Sequence, residues 1–167
     1  MKLRKSVNED INNIMQIIDK AKEALKEQGI DQWQNGYPNA DVIRNDILNN
    51  DSYVFIKNNE IVATSAVSFD GEKTYDKIYD GNWISNDEFA VIHRIAISNK
   101  YKGTGIASEI IKMIEAICLD KDVHSIKVDT HEFNIPMQKL LKKNDFKYCG
   151  VIYLEDKSKR VAFEKIF

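Results

Sequence analysis

Residues 89–117 run FAVIHRIAISNKYKGTGIASEIIKMIEAI: a strand, a short basic turn and an amphipathic helix with nothing between them. Gly103 and Gly105 can take backbone angles closed to other residues, so several N–H groups can converge on phosphate oxygens with the positive end of the helix behind them. Lys100 and Lys102 add full charges at the rim. The helix is predicted because Ile106, Ile110, Met113, Ile114 and Ile117 recur at three- and four-residue steps and make one apolar stripe. Along the strand, Phe89, Val91, His93, Ile95 and Ile97 alternate with Ala90, Ile92, Arg94 and Ala96. Both faces are largely apolar, which predicts a central strand, with His93 and Arg94 as polar exceptions.

Working outward, 167 residues make one domain spanning 1–167, long enough to bury a core without disulfides. The formal net charge of −2 argues against a nucleic-acid binder by bulk charge. The opening MKLRKSVNED has basic residues with no apolar stretch behind them, and no run is long enough to cross a bilayer, so the expected location is the cytoplasm with no membrane partner. Cys118 and Cys149 give no metal spacing and read as core thiols.

Residues 2–6 form a short strand, and Ser6 and Glu9 have capping-box spacing ahead of Ile11, Ile14, Met15, Ile18, Ala21 and Leu25. That first helix is expected to end near Gly29. The following GIDQWQNGYP places Trp33 and Tyr37 among turn formers, where they either plug the core or wall a substrate pocket. A second helix covers 40–48, and strands at 52–57 and 60–69 are joined by Asn58-Asn59, which tolerate the positive φ of a tight hairpin. Residues 70–87 are a long polar connection with Tyr75, Tyr79 and Trp83, of the kind that is functional or mobile. A strand at 125–130, a helix at 134–143 capped by Asn134, and a hairpin of 146–154 with 159–166 complete the chain. The order β-α-α-β-β-β-α-β-α-β-β predicts an α+β fold, a mixed, mostly antiparallel sheet flanked by helices, with one parallel crossover.

A glycine turn before a helix serves several nucleotide folds. The P-loop pattern fails because no Gly-Lys-Ser/Thr follows, and the dinucleotide fingerprint fails for want of three spaced glycines. Lys100-Tyr101-Lys102-Gly103-Thr104-Gly105 resembles the Gln/Arg-x-x-Gly-x-Gly/Ala signature of the GNAT superfamily of N-acetyltransferases, with Lys100 in place of the usual Gln or Arg. The resemblance covers nearly the whole chain. It implies acetyl-CoA as cosubstrate, with the amides of Lys102, Gly103, Thr104, Gly105, Ile106 and Ala107 on the pyrophosphate and the main chain of Ile95, Ala96 and Ile97 along the pantetheine arm. Asn134 matches a family position near the pantetheine and is equally a plain helix cap.

The resemblance further implies direct attack of an amine on the thioester, with no acyl-enzyme. His93, two positions before Ile95, is the candidate base, because imidazole takes a proton near neutral pH; the alternative is a satisfied core histidine. His131 could compete or relay through water. Where many relatives have a Tyr to protonate the thiolate this chain has Leu141, which leaves Tyr148 as a stand-in or a thiolate that departs unaided. Trp33, Tyr37, Tyr79 and Trp83 are expected to wall a pocket for a small amine or a peptide end, with Asp31 or Glu88 available to attract a cation. A catalytically silent acyl-CoA-binding module is the alternative function, and the last hairpin's edge leaves a homodimer open. No metal is expected.

Overall fold

The computed structural model describes residues 1–167. Seven strands and four helices follow in the order β1 (Lys2–Lys5), α1 (Ile11–Glu27), α2 (Ala40–Leu48), β2 (Ser52–Lys57), β3 (Glu60–Ser68), β4 (Ala90–Ile97), α3 (Ile106–Asp120), β5 (Ser125–Thr130), α4 (Ile135–Lys143), β6 (Lys147–Tyr153) and β7 (Lys159–Ile166). The strands form one sheet in the order β1-β2-β3-β4-β5-β7-β6, a mixed, mostly antiparallel sheet of the expected α+β class. β4 and β5 run parallel, whereas β1–β2, β2–β3, β5–β7 and β6–β7 are antiparallel. No helix is long and apolar enough to cross a membrane. Close contacts gather into two compact units, Met1–Val67 with Arg94–Ile110 and Ser68–His93 with Ile111–Phe167.

In the first unit, α1 lays Ile14, Ile17 and Ile18 against Ile43 of α2, Val54 of β2 and Ala96 of β4. Burial of each such isoleucine is worth about 1.5–3 kcal/mol. Asn58 and Asn59 turn the β2–β3 hairpin at φ 51° and 61°, values that suit an asparagine. The start of α1 departs from the expected capping box. Ser6 is buried and its hydroxyl accepts from the Ser52 hydroxyl at 2.8 Å, so it is not available as a cap. Asp10 takes the role instead: its Oδ2 accepts the Val7 N–H at 2.8 Å while Arg4 donates to both carboxylate oxygens. The Arg4 hydrogen bond holds the Asp10 carboxyl below its ordinary range.

In the second unit, the connection between β3 and β4 is neither bare nor loose. Tyr75, in a short 3-10 turn over Lys73–Tyr75, packs with Val91, Ile152 and Ala162, and Ile78, Trp83, Phe89 and Leu154 close around them. Glu164 of β7 is fully buried and gathers the segment: it accepts from the N–H of Ile84 at 2.6 Å and from the hydroxyls of Ser85 at 3.0 Å and Ser125 at 2.8 Å. Its cross-strand neighbour Lys127 lies 3.9 Å from the Phe89 ring centre and 4.6 Å from that of Trp83. Burial lowers the Lys127 pKa, and Glu164 opposes that shift. The outer edge of β6 is occupied at Val151, which exchanges two main-chain hydrogen bonds of 2.8 Å with Tyr79. That approach requires glycine at 150, where a Cβ would come within 2.5 Å of the Tyr79 carbonyl oxygen.

Candidate active site

In the first unit β4 runs into a 3-10 turn over Asn99–Tyr101 and then, through Gly103 and Gly105, into α3. Both glycines are left-handed, at φ 76° and 84°, and a Cβ on either would meet nothing within 4 Å. The demand at these positions is therefore for backbone angle and not for room. Of the six amides from Lys102 to Ala107, two are spent locally, Lys102 on Asn99 at 3.2 Å and Thr104 on Tyr101 at 3.4 Å. Those of Gly103, Gly105, Ile106 and Ala107 donate to no main-chain carbonyl. Four N–H groups at the start of a 15-residue helix are the donor set a diphosphate needs. Lys100 contributes less charge than its position promises, because Glu60 holds its ammonium at 3.2 Å.

The β4–β5 ladder holds two residue pairs, Ala90↔Ile126 and Val91↔Lys127, so the β4 main chain at Ile95, Ala96 and Ile97 lies beyond it. Arg94, in the same stretch, is buried and donates to Asp46 of α2 and, at 2.5 Å, to the hydroxyl of Tyr37. The Arg94 Nε is buried with no hydrogen-bond partner. Tyr37 is 44% exposed, so its phenol joins a buried ion pair to the surface. Trp33 instead packs against the core of α1 and α2 from a left-handed backbone at φ 60°, a conformation unusual for so bulky a residue.

In the second unit, His93 places Nδ1 3.8 Å from Oε2 of Glu72, with about a quarter of each side chain exposed. The other Glu72 oxygen accepts from the N–H and hydroxyl of Thr74 at 3.0 and 2.9 Å and caps the turn that carries Tyr75. The Tyr75 hydroxyl donates to Asp129 at 2.7 Å, and Arg160 stands 4.0 Å from the far Asp129 oxygen. Burial, followed by the Asp129 charge, pushes the Tyr75 phenol well above its ordinary range. Burial likewise raises Asp129, against the pull of Tyr75 and Arg160. Tyr75 is thus a donor locked to a carboxylate and poorly suited to give up its proton.

The remaining candidates of this unit are placed as follows. His131 accepts the Phe133 N–H on Nδ1 at 3.1 Å, closing the turn before α4. Asn134 caps α4, its side chain accepting the Met137 N–H at 3.2 Å. Tyr148 is 52% exposed with its ring edge-on to Phe163. Tyr79 is exposed and sets its ring against Tyr153, whereas Trp83 donates its indole N–H to the Tyr75 carbonyl at 2.9 Å. Leu141 is fully buried. Burial pushes the Cys118 thiol up to about 12 and raises Cys149 as well, which fits neither for a nucleophile.

A strand, a left-handed glycine turn with open amides and a helix, set in this strand order, match known proteins. The sequence profile of the acetyltransferase (GNAT) family fits residues 16–146. The chain belongs to the GNAT acetyltransferase family. A GNAT-family acetyltransferase of Streptococcus agalactiae 2603 is 34% identical, with 99% of this chain and 95% of that chain covered and a TM-score of 0.90. A Staphylococcus aureus Mu50 protein assigned as an acetyltransferase is 26% identical over 99% of both chains, at TM-score 0.74. A GNAT-family acetyltransferase of Listeria monocytogenes 4b F2365 shares the fold at 16% identity and TM-score 0.77, covering 99% of this chain and 94% of that one. No curated protein sequence matches.

Sequence reasoning left out Glu72, Asp129 and Arg160, and it named Tyr75 only as part of a connection. Glu72 gives no cap signal in the sequence, because Ser, Thr, Asp and Asn are the preferred capping residues. Nothing in the sequence pairs it with a histidine 21 positions away.

Proposed function

We propose that this GNAT protein is an N-acetyltransferase that moves the acetyl group of acetyl-CoA to a primary amine of a small molecule or peptide by direct attack. The carrying observation is the set of four amides, Gly103, Gly105, Ile106 and Ala107, with no main-chain acceptor at the start of α3. They would hold the diphosphate, and the β4 main chain at Ile95–Ile97, beyond the β5 ladder, would hold the amide-bearing pantetheine arm as an added strand does. Acetyl-CoA supplies an activated acyl group when bound. His93 would accept the proton that the attacking amine sheds. On the acceptor side, the Tyr37 oxygen already accepts from Arg94, which leaves its O–H to donate to an oxygen on the substrate. We assign Trp33 and Trp83 to packing.

Calorimetry with CoA, ATP and NAD tests the first half: CoA binding is expected, and protection by ATP or NAD without CoA would sink it. Release of free CoA thiol from acetyl-CoA across a panel of amines tests the second. The expected result is turnover that falls at least about a hundredfold in His93→Ala. CoA binding without turnover on any amine would favour a silent acyl-CoA-binding module, a reading that buried Leu141 at the usual Tyr position supports.

A further inference from the structure

We propose that Glu72 is the positioning residue of His93, a carboxylate that sets the ring's orientation and holds its proton affinity up; this rests on reading His93 as the base. Glu72 cannot swing freely. Its Oε1 is fixed by the N–H and hydroxyl of Thr74. The turn that carries both is locked by Tyr75, through its hydroxyl on Asp129 and its carbonyl on the Trp83 indole. With one oxygen committed, the other stands 3.8 Å from the His93 Nδ1. That separation exceeds a hydrogen bond by under an ångström and is well within the range at which a carboxylate favours an imidazolium. Nδ1 is the ring nitrogen that faces Glu72.

The other charged groups around the cluster do not cancel this effect. Asp129 of β5 and Arg160 of β7 face each other at 4.0 Å behind Tyr75, so their charges offset. Tyr75 stays neutral, its phenol raised by burial. Lys127 is engaged with the Phe89 and Trp83 rings and with the carbonyl of Ser85. Glu72 is the carboxylate that stands against the ring at Nδ1. The proton balance closes on one residue: His93 gains a proton as the C–N bond forms and returns it as the C–S bond breaks. A paired imidazolium is long-lived enough to serve both steps, which meets the need for an acid that Leu141 leaves open.

The test follows the ring itself. The chain has three histidines, so an isotope-labelled histidine titration by NMR, assigned with His93→Gln, resolves the His93 midpoint. Glu72→Gln keeps the oxygen that caps Thr74 and removes only the charge. Its midpoint is expected to fall by about half a pH unit or more, while Glu132→Gln, at the exposed pair with Lys159, leaves it in place. Thr74→Ala, which loosens the carboxylate but keeps its charge, should give a smaller fall. The acid limb of kcat at saturating amine should move to lower pH by the same amount, since the neutral ring is the working form. A midpoint unmoved in Glu72→Gln overturns the inference and leaves His93 free to be the base. A midpoint that moves while the acid limb stays put overturns His93 as base and the role of Glu72 with it.

Discussion

Residues 98–107 and residues 69–89 each carry the chain out of one strand toward the next element, yet they hold their shapes by different means. The first does so almost wholly with local main chain: two left-handed glycines, three main-chain hydrogen bonds between residues 98 and 104, and one more from the Thr104 hydroxyl to the Tyr101 carbonyl. The second depends on side chains that reach 54 and 80 positions along the sequence, Tyr75 to Asp129 and Ile84 to Glu164. Anion binding through a backbone nest tolerates wide change of side chain, whereas a proton-transfer group needs one carboxylate at one place. The two halves of the proposed reaction should therefore respond to different mutations.

The largest separation is expected from His93→Gln. It should lower kcat by about 10²–10⁴ and leave CoA affinity in place; parallel loss of both, by calorimetry and turnover, would merge the two regions functionally. Next, Glu164→Ala strands the amide of Ile84, two serine hydroxyls and Lys127, at a cost of about 3–5 kcal/mol in denaturant unfolding. Limited proteolysis should then cut within 69–89 while CoA still binds. Gly105→Val forces a branched side chain into φ 84°. Strain of about 1–2 kcal/mol should weaken CoA roughly tenfold, with the His93 titration unchanged. Tyr37→Phe removes one hydroxyl from Arg94 and should raise the acceptor KM about fivefold without touching CoA affinity. Lys100→Ala should change CoA affinity by about twofold at most, because the ammonium is exposed and shared with Glu60.

The same contrast governs what could be read from the chain beforehand. Strand and helix limits followed from periodicities of two and 3.6, and α2, β2, β5 and β7 fall on the residues expected. The turn was legible because Gly-x-Gly before an apolar stripe is a local statement. The start of α1 was misread, since Ser6 looked like a cap until β2 brought Ser52 to it and Arg4 oriented Asp10. The connection was read as functional or mobile because its anchors, Asp129, Glu164 and Val151, lie on strands that reach it only after folding. Of the four aromatics expected at the acceptor pocket, spacing could not separate Tyr37 and Tyr79, both exposed, from Trp33 and Trp83, both packed inward.

Glu164 has a consequence for the order of assembly. Its partner amide at Ile84 is made eighty positions before it, so during synthesis the glycine turn has all its parts within a few residues while the connection waits for β7. A nascent chain halted before β7 would hold the local bonds of the glycine turn while Ile84 and Ser85 still lacked their carboxylate.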